Sequence, residues 1–241
     1  MSVSPHLYSG NSTREIMFDV LIALAQATVM SVVFFGLPAF AVIMVSILSC
    51  LATEYLFQKM FQKPSALNDL SAIVTGLLLA FCLPPATPWW GVILAAFAAI
   101  GIAKHLFGGI GFNILNPALV GRAFLFASYP VILTTWTKPF DSITTASPLG
   151  IIKENLSQIL PSVWDLFIGN RAGSIGEASV LALLIGAAYL FYRKVIDWKI
   201  PLAYLGTVAL FMQLLGKDVA FQLMAGGLIL GAFFMATDYA T

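Results

Sequence analysis

Residues 141–149 carry the strongest chemical signal in this sequence, in the order Asp141-Ser-Ile-Thr-Thr-Ala-Ser-Pro-Leu149. Ser147 offers a hydroxyl directly before Pro148, and a proline holds the residue before it in an extended or turned conformation. The Asp141 carboxylate and the hydroxyls of Thr144 and Thr145 come shortly before that serine. As chemistry alone, the pattern is either a site at the Ser147 hydroxyl or an ordinary polar turn.

A second group of polar residues interrupts an apolar stretch. Asn113, Asn116 and Arg122 follow the glycine pair at residues 108–109. An arginine at the centre of a bilayer costs roughly 2.5–3.5 kcal/mol on insertion scales, so the chain must compensate for it. The spacing of three places both amides on one face of a helix, and Pro117 predicts a helix break nearby. A broken helix that lines a ligand site and simple hydrogen bonding between helices are both consistent with this pattern.

Carboxylates at or near apolar stretches form a third group. Glu54, Asp69 and Asp238 are candidates for ion ligands or proton carriers, because acidic groups are costly near hydrocarbon and are usually functional there. Asp69 and Glu177 precede apolar segments, and for these two we favour a role in stabilising helix N-termini. Glu54 and Asp238 are therefore the candidates for an ion path.

Composition defines the elements that must position these groups. Of the 241 residues, 60% are hydrophobic and 10% are charged, too few charges for a water-exposed surface. We therefore expect membrane lipid as the solvent. The net charge of +1 excludes a large electrostatic surface for nucleic acid. Cys50 and Cys82 lie apart in apolar runs without metal-ligand spacing, so we expect no metal site.

Hydropathy predicts an all-α integral membrane protein with about eight spans in one domain, residues 1–241. The predicted spans are residues 17–36, 37–57, 70–84, 89–107, 112–134, 177–193, 200–215 and 220–237. The distribution of lysine and arginine favours a multi-pass protein of the inner (plasma) membrane with a cytoplasmic N-terminus. In this orientation the long polar segment at residues 135–178 lies outside.

The chain also resembles itself. Residues 113–128 align with residues 222–237, pairing Ala123 with Ala232 and Phe124 with Phe233, and residues 69–71 align with residues 177–179 at nearly the same offset. In the predicted topology the matched segments enter the membrane from opposite sides, as in an inverted repeat with broken helices. Chance similarity between apolar helices is the alternative. A complete second unit predicts two further spans after Thr241.

The motif at residues 141–149 is similar to the signature recognised by a flavin transferase that joins FMN to proteins through a phosphoester. It resembles in particular the D subunit of Rnf complexes and the related B subunit of sodium-translocating NADH:quinone oxidoreductases. Serine stands at Ser147 where threonine is more common. Further segments that resemble the Rnf D subunit are Thr53-Glu-Tyr-Leu56, Asp69-Leu-Ser-Ala-Ile-Val-Thr-Gly-Leu-Leu-Leu79, Leu83-Pro-Pro85, Lys104-His-Leu-Phe-Gly-Gly109, Asn116-Pro-Ala-Leu-Val-Gly-Arg-Ala-Phe124 and Gly169-Asn-Arg-Ala-Gly-Ser-Ile-Gly-Glu177.

This resemblance implies specific cofactors and partners. FMN would be esterified to Ser147, and the remaining positions of the motif would surround it: Asp141, Thr144, Thr145, Ala146, Pro148 and Leu149. A noncovalent riboflavin would contact Asn113 and Asn116, and Arg122 would lie near the FMN or pair with a carboxylate. The implied partners are the flavin transferase, the other Rnf subunits including an outward-facing subunit that carries FMN, and Na⁺ or H⁺.

The implied function is electron transfer between ferredoxin and NAD through these flavins, coupled to ion translocation. Two alternatives remain from the residues alone. An inverted-repeat transporter or channel without redox function has the same architecture. A scaffold subunit that only holds flavin-bearing neighbours also fits.

Overall fold

The computed structural model describes residues 12–62, 67–140, 143–154, 157, 160–177 and 179–238. Most of these residues are helical, as the sequence predicts. The helices are α1 (Thr13–Met60), α2 (Ser71–Phe81), α3 (Trp89–Phe97), α4 (Pro117–Ser128), α5 (Pro130–Thr134), α6 (Pro148–Lys153), α7 (Val163–Ile168), α8 (Val180–Tyr192), α9 (Lys199–Leu214), α10 (Val219–Met224) and α11 (Leu228–Leu230). Strands β1 (Trp136–Thr137) and β2 (Thr144–Thr145) form one antiparallel pair.

Helix α1 contains a break that the sequence predicts. It begins with a capping box, in which Ser12 and Glu15 exchange side-chain to backbone hydrogen bonds. At Gly36 the backbone is non-helical, with φ 66° and ψ −147°, a region that glycine enters without a steric penalty. Pro38 follows two residues later and lacks an N–H donor. The predicted spans 17–36 and 37–57 therefore meet at this break.

The number of helices long enough to cross a membrane differs from the prediction. Within the described residues, α1 alone has the length and apolar character to cross a bilayer, and the other apolar helices have 10–17 residues. A crossing helix needs roughly 20 residues. The eight predicted spans are not confirmed, because hydropathy averages over breaks. The run at residues 112–134 divides into non-helical backbone, α4 and α5, and the run at residues 220–237 divides into α10, α11 and a π-helix.

Close contacts between helices define the core. A Cβ added at Gly76 in α2 would lie 2.8 Å from the Cα of Ile47 in α1, and the Ser46 hydroxyl donates to the Gly76 carbonyl at 2.6 Å. In α8, a Cβ at Gly186 would collide with the carbonyl oxygen of Ala23. Helix α1 therefore packs through one half against α2 and through the other against α8, with backbone contact at each glycine.

The predicted repeat has a structural counterpart. A short 3₁₀ helix, Leu67–Asp69, precedes α2, and another, Ile175–Glu177, precedes α8. Each is followed by a helix that packs a glycine against α1. The order of a 3₁₀ helix followed by a helix packed on α1 thus occurs twice, which supports the alignment of residues 69–71 with residues 177–179. The two π-helices, Ala98–His105 and Gly231–Met235, do not correspond in this alignment, because residues 231–235 align with residues 122–126 of α4. The inverted orientation of the two units stays a prediction.

The contact at Gly186 is testable by one substitution. We expect Gly186→Ala to destabilise the protein by about 1–3 kcal/mol, because a methyl group cannot fit against the Ala23 carbonyl. Gly206→Ala in α9 is the matched control, since no heavy atom lies within 4 Å of its added Cβ. Thermal unfolding in detergent measures both. Equal midpoints for the two variants would contradict the close packing of α8 on α1.

Candidate functional site

The segment before Ser147 is a short hairpin. Trp136 pairs with Thr145 and Thr137 pairs with Thr144 across β1 and β2. The Phe140 N–H donates to the carbonyl of Phe34 at 3.0 Å, just before the α1 break. This bond ties the hairpin to α1, so the threonines that precede the motif serine have a fixed place against the helical body.

Ser147 lies where the hairpin passes into α6. Its side chain is half-buried, and its Oγ accepts a hydrogen bond from the Gly150 N–H at 3.1 Å as the N-cap of α6. Pro148 is the first residue of that helix and is buried. Asp141, the first residue of the predicted signature, lies outside the described residues. The motif is therefore a turn and a helix start, and its hydroxyl oxygen remains partly accessible.

A cavity of about 350 Å³ adjoins the motif. The residues that line it include Lys138, Thr145, Ala146, Pro148, Asp165 and Arg171. The side chain of Leu149 lies instead next to Gly226, where an added Cβ would be 3.2 Å away. Two cationic side chains and one carboxylate thus border the space beside the motif, and Ala146 and Pro148, the neighbours of Ser147, line it.

The carboxylate of this cavity is held by a capping box. The Ser162 hydroxyl donates to Asp165 Oδ2 at 2.6 Å, the Ser162 N–H donates to the same atom at 3.2 Å, and the Asp165 N–H donates back to Ser162 Oγ at 3.1 Å. These hydrogen bonds, the hydroxyl first, lower the pKa of Asp165 below its usual value. Asp165 therefore stays charged at the start of α7.

Arg171 is a buried residue that lines the same cavity. It is 4% exposed, and its guanidinium donates to the carbonyl oxygens of Glu177, Met224 and Gly226. Met224 is the last residue of α10, and Gly226 lies in the break between α10 and α11. A buried arginine is stable only when its donors are satisfied, and unpaired carbonyls at a helix break need donors. Arg171 therefore joins the segment at residues 135–178 to the region around the α10–α11 break.

The two asparagines lie at the start of α4. Asn116 is its N-cap: Oδ1 accepts from the N–H groups of Ala118 at 3.0 Å and Leu119 at 3.3 Å. Asn113 and Asn116 are both buried. The prediction that the two amides share a helix face is wrong, because the backbone before Pro117 is not helical. The predicted break at Pro117 is present.

Asn116 also connects the two repeats. Its Nδ2 donates to Oδ2 of Asp238 at 3.1 Å, across 122 residues of sequence. Asp238 follows the π-helix Gly231–Met235. A residue predicted to contact riboflavin and a residue predicted for the ion path are therefore hydrogen-bonded to each other.

Arg122 lies away from the Ser147 motif. It borders a separate cavity of about 250 Å³ that is also lined by Cys82, Glu177 and Tyr204. The Arg122 side chain is within hydrogen-bonding reach of the Cys82 sulfur. Of the two roles predicted for Arg122, proximity to a carboxylate agrees with this cavity. Glu177 does not cap α8, because the Ser179 hydroxyl accepts from the Ala182 N–H there.

Glu54 is the centre of a buried polar cluster. Its Oε2 accepts from the ammonium of Lys104 at 2.8 Å, and its Oε1 accepts from Gln58 Nε2 at 2.9 Å and lies 3.3 Å from His105 Nε2. The Lys104 ammonium also donates to Ser71 Oγ at 2.7 Å. Glu54 is 2% and Lys104 is 1% exposed. The ion pair between Glu54 and Lys104 thus brings together α1, the start of α2 and the π-helix Ala98–His105.

Sequence reasoning missed two members of these sites. The prediction of membrane orientation treated Lys104 and Arg171 as ordinary basic residues of the loops. In the structure both are buried and hydrogen-bonded. Lys104 lies in an apolar run, which is a usable signal for a buried charge. Arg171 lies in a polar segment and carries no such signal, because its three carbonyl partners are up to 55 residues away.

Comparison with known proteins gives one consistent result. The model of the NQR2, RnfD, RnfE family matches residues 1–241. The chain is 47% identical over 245 residues to the D subunit of the Na⁺-translocating ferredoxin:NAD⁺ oxidoreductase complex of Acetobacterium woodii, covering 100% of this chain and 77% of the relative. It is 44% identical over 260 residues to the D subunit of the proton-translocating ferredoxin:NAD⁺ oxidoreductase complex of Clostridium ljungdahlii, covering 100% and 78%. The D subunit of the ion-translocating oxidoreductase complex of Rhodobacter capsulatus is 36% identical over 277 residues, covering 98% and 77%.

The Asn116–Asp238 bond is testable with a double-mutant cycle. Asn116→Asp keeps an oxygen that can cap α4 but places a second carboxylate against Asp238, so we expect a loss of about 1–3 kcal/mol. Asn116→Ser keeps the cap without the added charge and should lose less. Adding Asp238→Asn to Asn116→Asp should restore most of the loss in thermal unfolding. Additive effects of the two substitutions would contradict the contact.

Proposed function

The chain belongs to the NQR2, RnfD, RnfE family, and from this premise we propose that it is the D-type membrane subunit of an ion-translocating ferredoxin:NAD⁺ oxidoreductase complex. Its relatives in Acetobacterium woodii and Clostridium ljungdahlii are named as the D subunits of complexes with that activity. The complex resides in the plasma membrane, where this subunit has its N-terminus on the cytoplasmic side and the segment at residues 135–178 outside.

Ser147 is the attachment point for FMN in this proposal. The observation that supports it is the half-buried Ser147 at the start of α6, whose neighbours Ala146 and Pro148 line a cavity of about 350 Å³, within the sequence Asp-x-x-Thr-x-Ala-Ser-Pro-Leu. The phosphate of FMN would be dianionic before attachment and would keep one negative charge as a diester on this oxygen, and Lys138 and Arg171 line the neighbouring cavity. A flavin transferase must reach Ser147, and the partial exposure of its side chain permits this.

A second, noncovalent flavin belongs near Asn113 and Asn116. Both amides are buried at the break before α4, where non-helical backbone offers donors and acceptors. We assign both amides to the edge of riboflavin. The Asn116 amide also caps α4 and donates to Asp238, which holds the backbone in place. Bound flavins accept and donate electrons, while the protein supplies position and electrostatics.

Ion translocation is the second half of the proposed activity. The named relatives divide between Na⁺ and proton, so the ion is one of these two. Glu54 and Asp238 are the proposed acidic residues of the path, because each is hydrogen-bonded at a junction between distant elements. The other subunits of the complex, including an outward-facing subunit that carries FMN, supply the remaining redox centres.

Two other functions make different demands on Ser147. A carrier or channel without redox function needs no covalent flavin, and neither does a scaffold subunit. The capped position of Ser147 alone suits all three functions, because many serines cap helices. Covalent flavin on this residue separates the proposed function from both alternatives.

The attachment of flavin is tested by substitution. In complex produced with the flavin transferase, we expect a fluorescent band for this subunit on a denaturing gel and an FMN-sized mass on the peptide that contains residues 139–153. Ser147→Ala should remove both signals completely, because no oxygen remains to carry the phosphoester. Ser147→Thr should retain them, since the hydroxyl is chemically equivalent.

Ser162→Ala is the matched control for this experiment. Ser162 is also the N-cap of a short helix in the outer segment, and its hydroxyl accepts from the Asp165 N–H as Ser147 accepts from Gly150. Its removal should leave the flavin signal unchanged. Flavin that persists in Ser147→Ala, or an unmodified Ser147 peptide from mature complex, would refute the assignment and favour the carrier or the scaffold.

The proposed orientation is tested by labelling two helix ends. Lys59 near the end of α1 and Lys153 at the end of α6 are both exposed, and the cysteines Cys50 and Cys82 are both buried. In intact cells, a membrane-impermeant maleimide should label Lys153→Cys and leave Lys59→Cys unlabelled. Permeabilised cells should allow both reactions. The reverse pattern in intact cells would place the flavin segment on the cytoplasmic face.

A further inference from the structure

Arg171 is a buried cation that is held by neutral groups. It is 4% exposed, and its guanidinium donates to the backbone carbonyl oxygens of Glu177 at 3.1 Å and Gly226 at 3.3 Å and to that of Met224. Carbonyl oxygens satisfy N–H donors but carry no net charge. These hydrogen bonds therefore fix the guanidinium in place without neutralising it.

The charge of Arg171 is balanced less directly than that of the other buried cation described above. The Lys104 ammonium contacts the Glu54 carboxylate at 2.8 Å. The carboxylate whose charge acts on Arg171 belongs to Glu177, and this side chain borders a different cavity. A buried charge without a contacting counter-ion is costly. An anion in the space beside Arg171 would therefore be stabilised by it.

Two observations place this guanidinium beside the predicted attachment motif. Arg171 lines the cavity of about 350 Å³ together with the residues on either side of Ser147. Leu149, two residues after that serine, lies 3.2 Å from a Cβ added at Gly226, whose carbonyl accepts from Arg171. The same backbone break thus contacts both the motif and the arginine.

The cavity has two further charged side chains. Lys138 is exposed, so water and salt screen its charge. Asp165 is negatively charged, because its hydrogen bonds with Ser162 lower the pKa of its carboxyl group. Of the three charged residues that line the cavity, Arg171 is the buried one, and a charge acts most strongly where water is excluded.

We propose that Arg171 raises the reduction potential of the flavin attached at Ser147, because its fixed positive charge stabilises the negative charge that the flavin gains on reduction. A bound flavin supplies the electron acceptor, and protein charges near it tune its electronic properties. Each electron that arrives from ferredoxin without a proton adds one negative charge beside the guanidinium. This inference rests on the proposed flavin attachment and names the residue that tunes that flavin.

The effect is measured by redox titration of the intact complex, purified with its native partner subunits. The flavin at Ser147 is the component of the absorbance change that wild-type complex shows and Ser147→Ala complex lacks. Arg171→Gln removes the charge and keeps two N–H donors, so this component should titrate at a lower potential than in the wild type. Arg171→Lys keeps the charge and should restore most of the wild-type potential.

Two variants of the same cavity separate the effect of charge from an effect on folding. Asp165→Asn removes a negative charge, so it should raise the flavin potential. Lys138→Gln removes a screened charge and should shift the potential less than Arg171→Gln does. All of these variants keep Ser147 and should carry covalent flavin on a denaturing gel. A structural role of Arg171 alone does not predict shifts of opposite sign.

Three outcomes would overturn the inference. These are an unchanged potential in Arg171→Gln, an equal decrease in Arg171→Gln and Arg171→Lys, and no increase in Asp165→Asn. If Arg171→Gln does not accumulate, the other two variants decide: a potential near that of the wild type in Arg171→Lys with a raised potential in Asp165→Asn supports the inference, and any other pair of results refutes it. Wild-type complex without covalent flavin defeats the proposed function, whereas covalent flavin with an unchanged potential in Arg171→Gln defeats this inference alone.

Discussion

A polar group surrounded by hydrocarbon must find its partner within the protein, and this requirement organises the chain. Where a helix breaks, carbonyl and N–H groups lose their helical partners, and other groups of the protein can replace them. Arg171 donates to the carbonyls freed between α10 and α11, and Asn116 accepts from the N–H groups at the start of α4. The breaks are therefore also the points at which distant parts of the chain are joined.

Local signals in the sequence predict local structure well. The boundary between the predicted spans 17–36 and 37–57, and the break predicted at Pro117, correspond to two helix interruptions that the structure contains, the first at Gly36. Backbone conformation at these positions is decided by φ preference and a missing N–H, which are properties of one or two residues. The prediction that Asn113 and Asn116 share a helix face is wrong for a related reason. The argument from their spacing assumed a helical backbone before Pro117, whereas the helix begins at that proline.

Contacts between distant residues are beyond the reach of such signals. Nothing near Arg171 in the sequence indicates that its partners include Met224 and Gly226, and nothing near Lys104 identifies Glu54. Hydropathy likewise averages over apolar residues and does not detect where the backbone stops being helical. It therefore predicts spans at residues 112–134 and 220–237, where the structure has broken helices. Pairing across 50 or more residues depends on how helices pack, which the glycine contacts at Gly76 and Gly186 determine.

The two repeats place equivalent carboxylates in different surroundings. Asp69 and Glu177 each end a 3₁₀ helix before a helix that packs on α1. Asp69 accepts from Ser71 beside the Lys104 ammonium, whereas Glu177 borders a cavity with Arg122. The carboxylate after the first 3₁₀ helix thus accepts a hydrogen bond from a serine that also bonds a buried ammonium, whereas the carboxylate of the second borders a cavity. Because the segment at residues 135–178 is attached to α1 through Phe140 and to the α10–α11 break through Arg171, the position of Ser147 depends on both contacts.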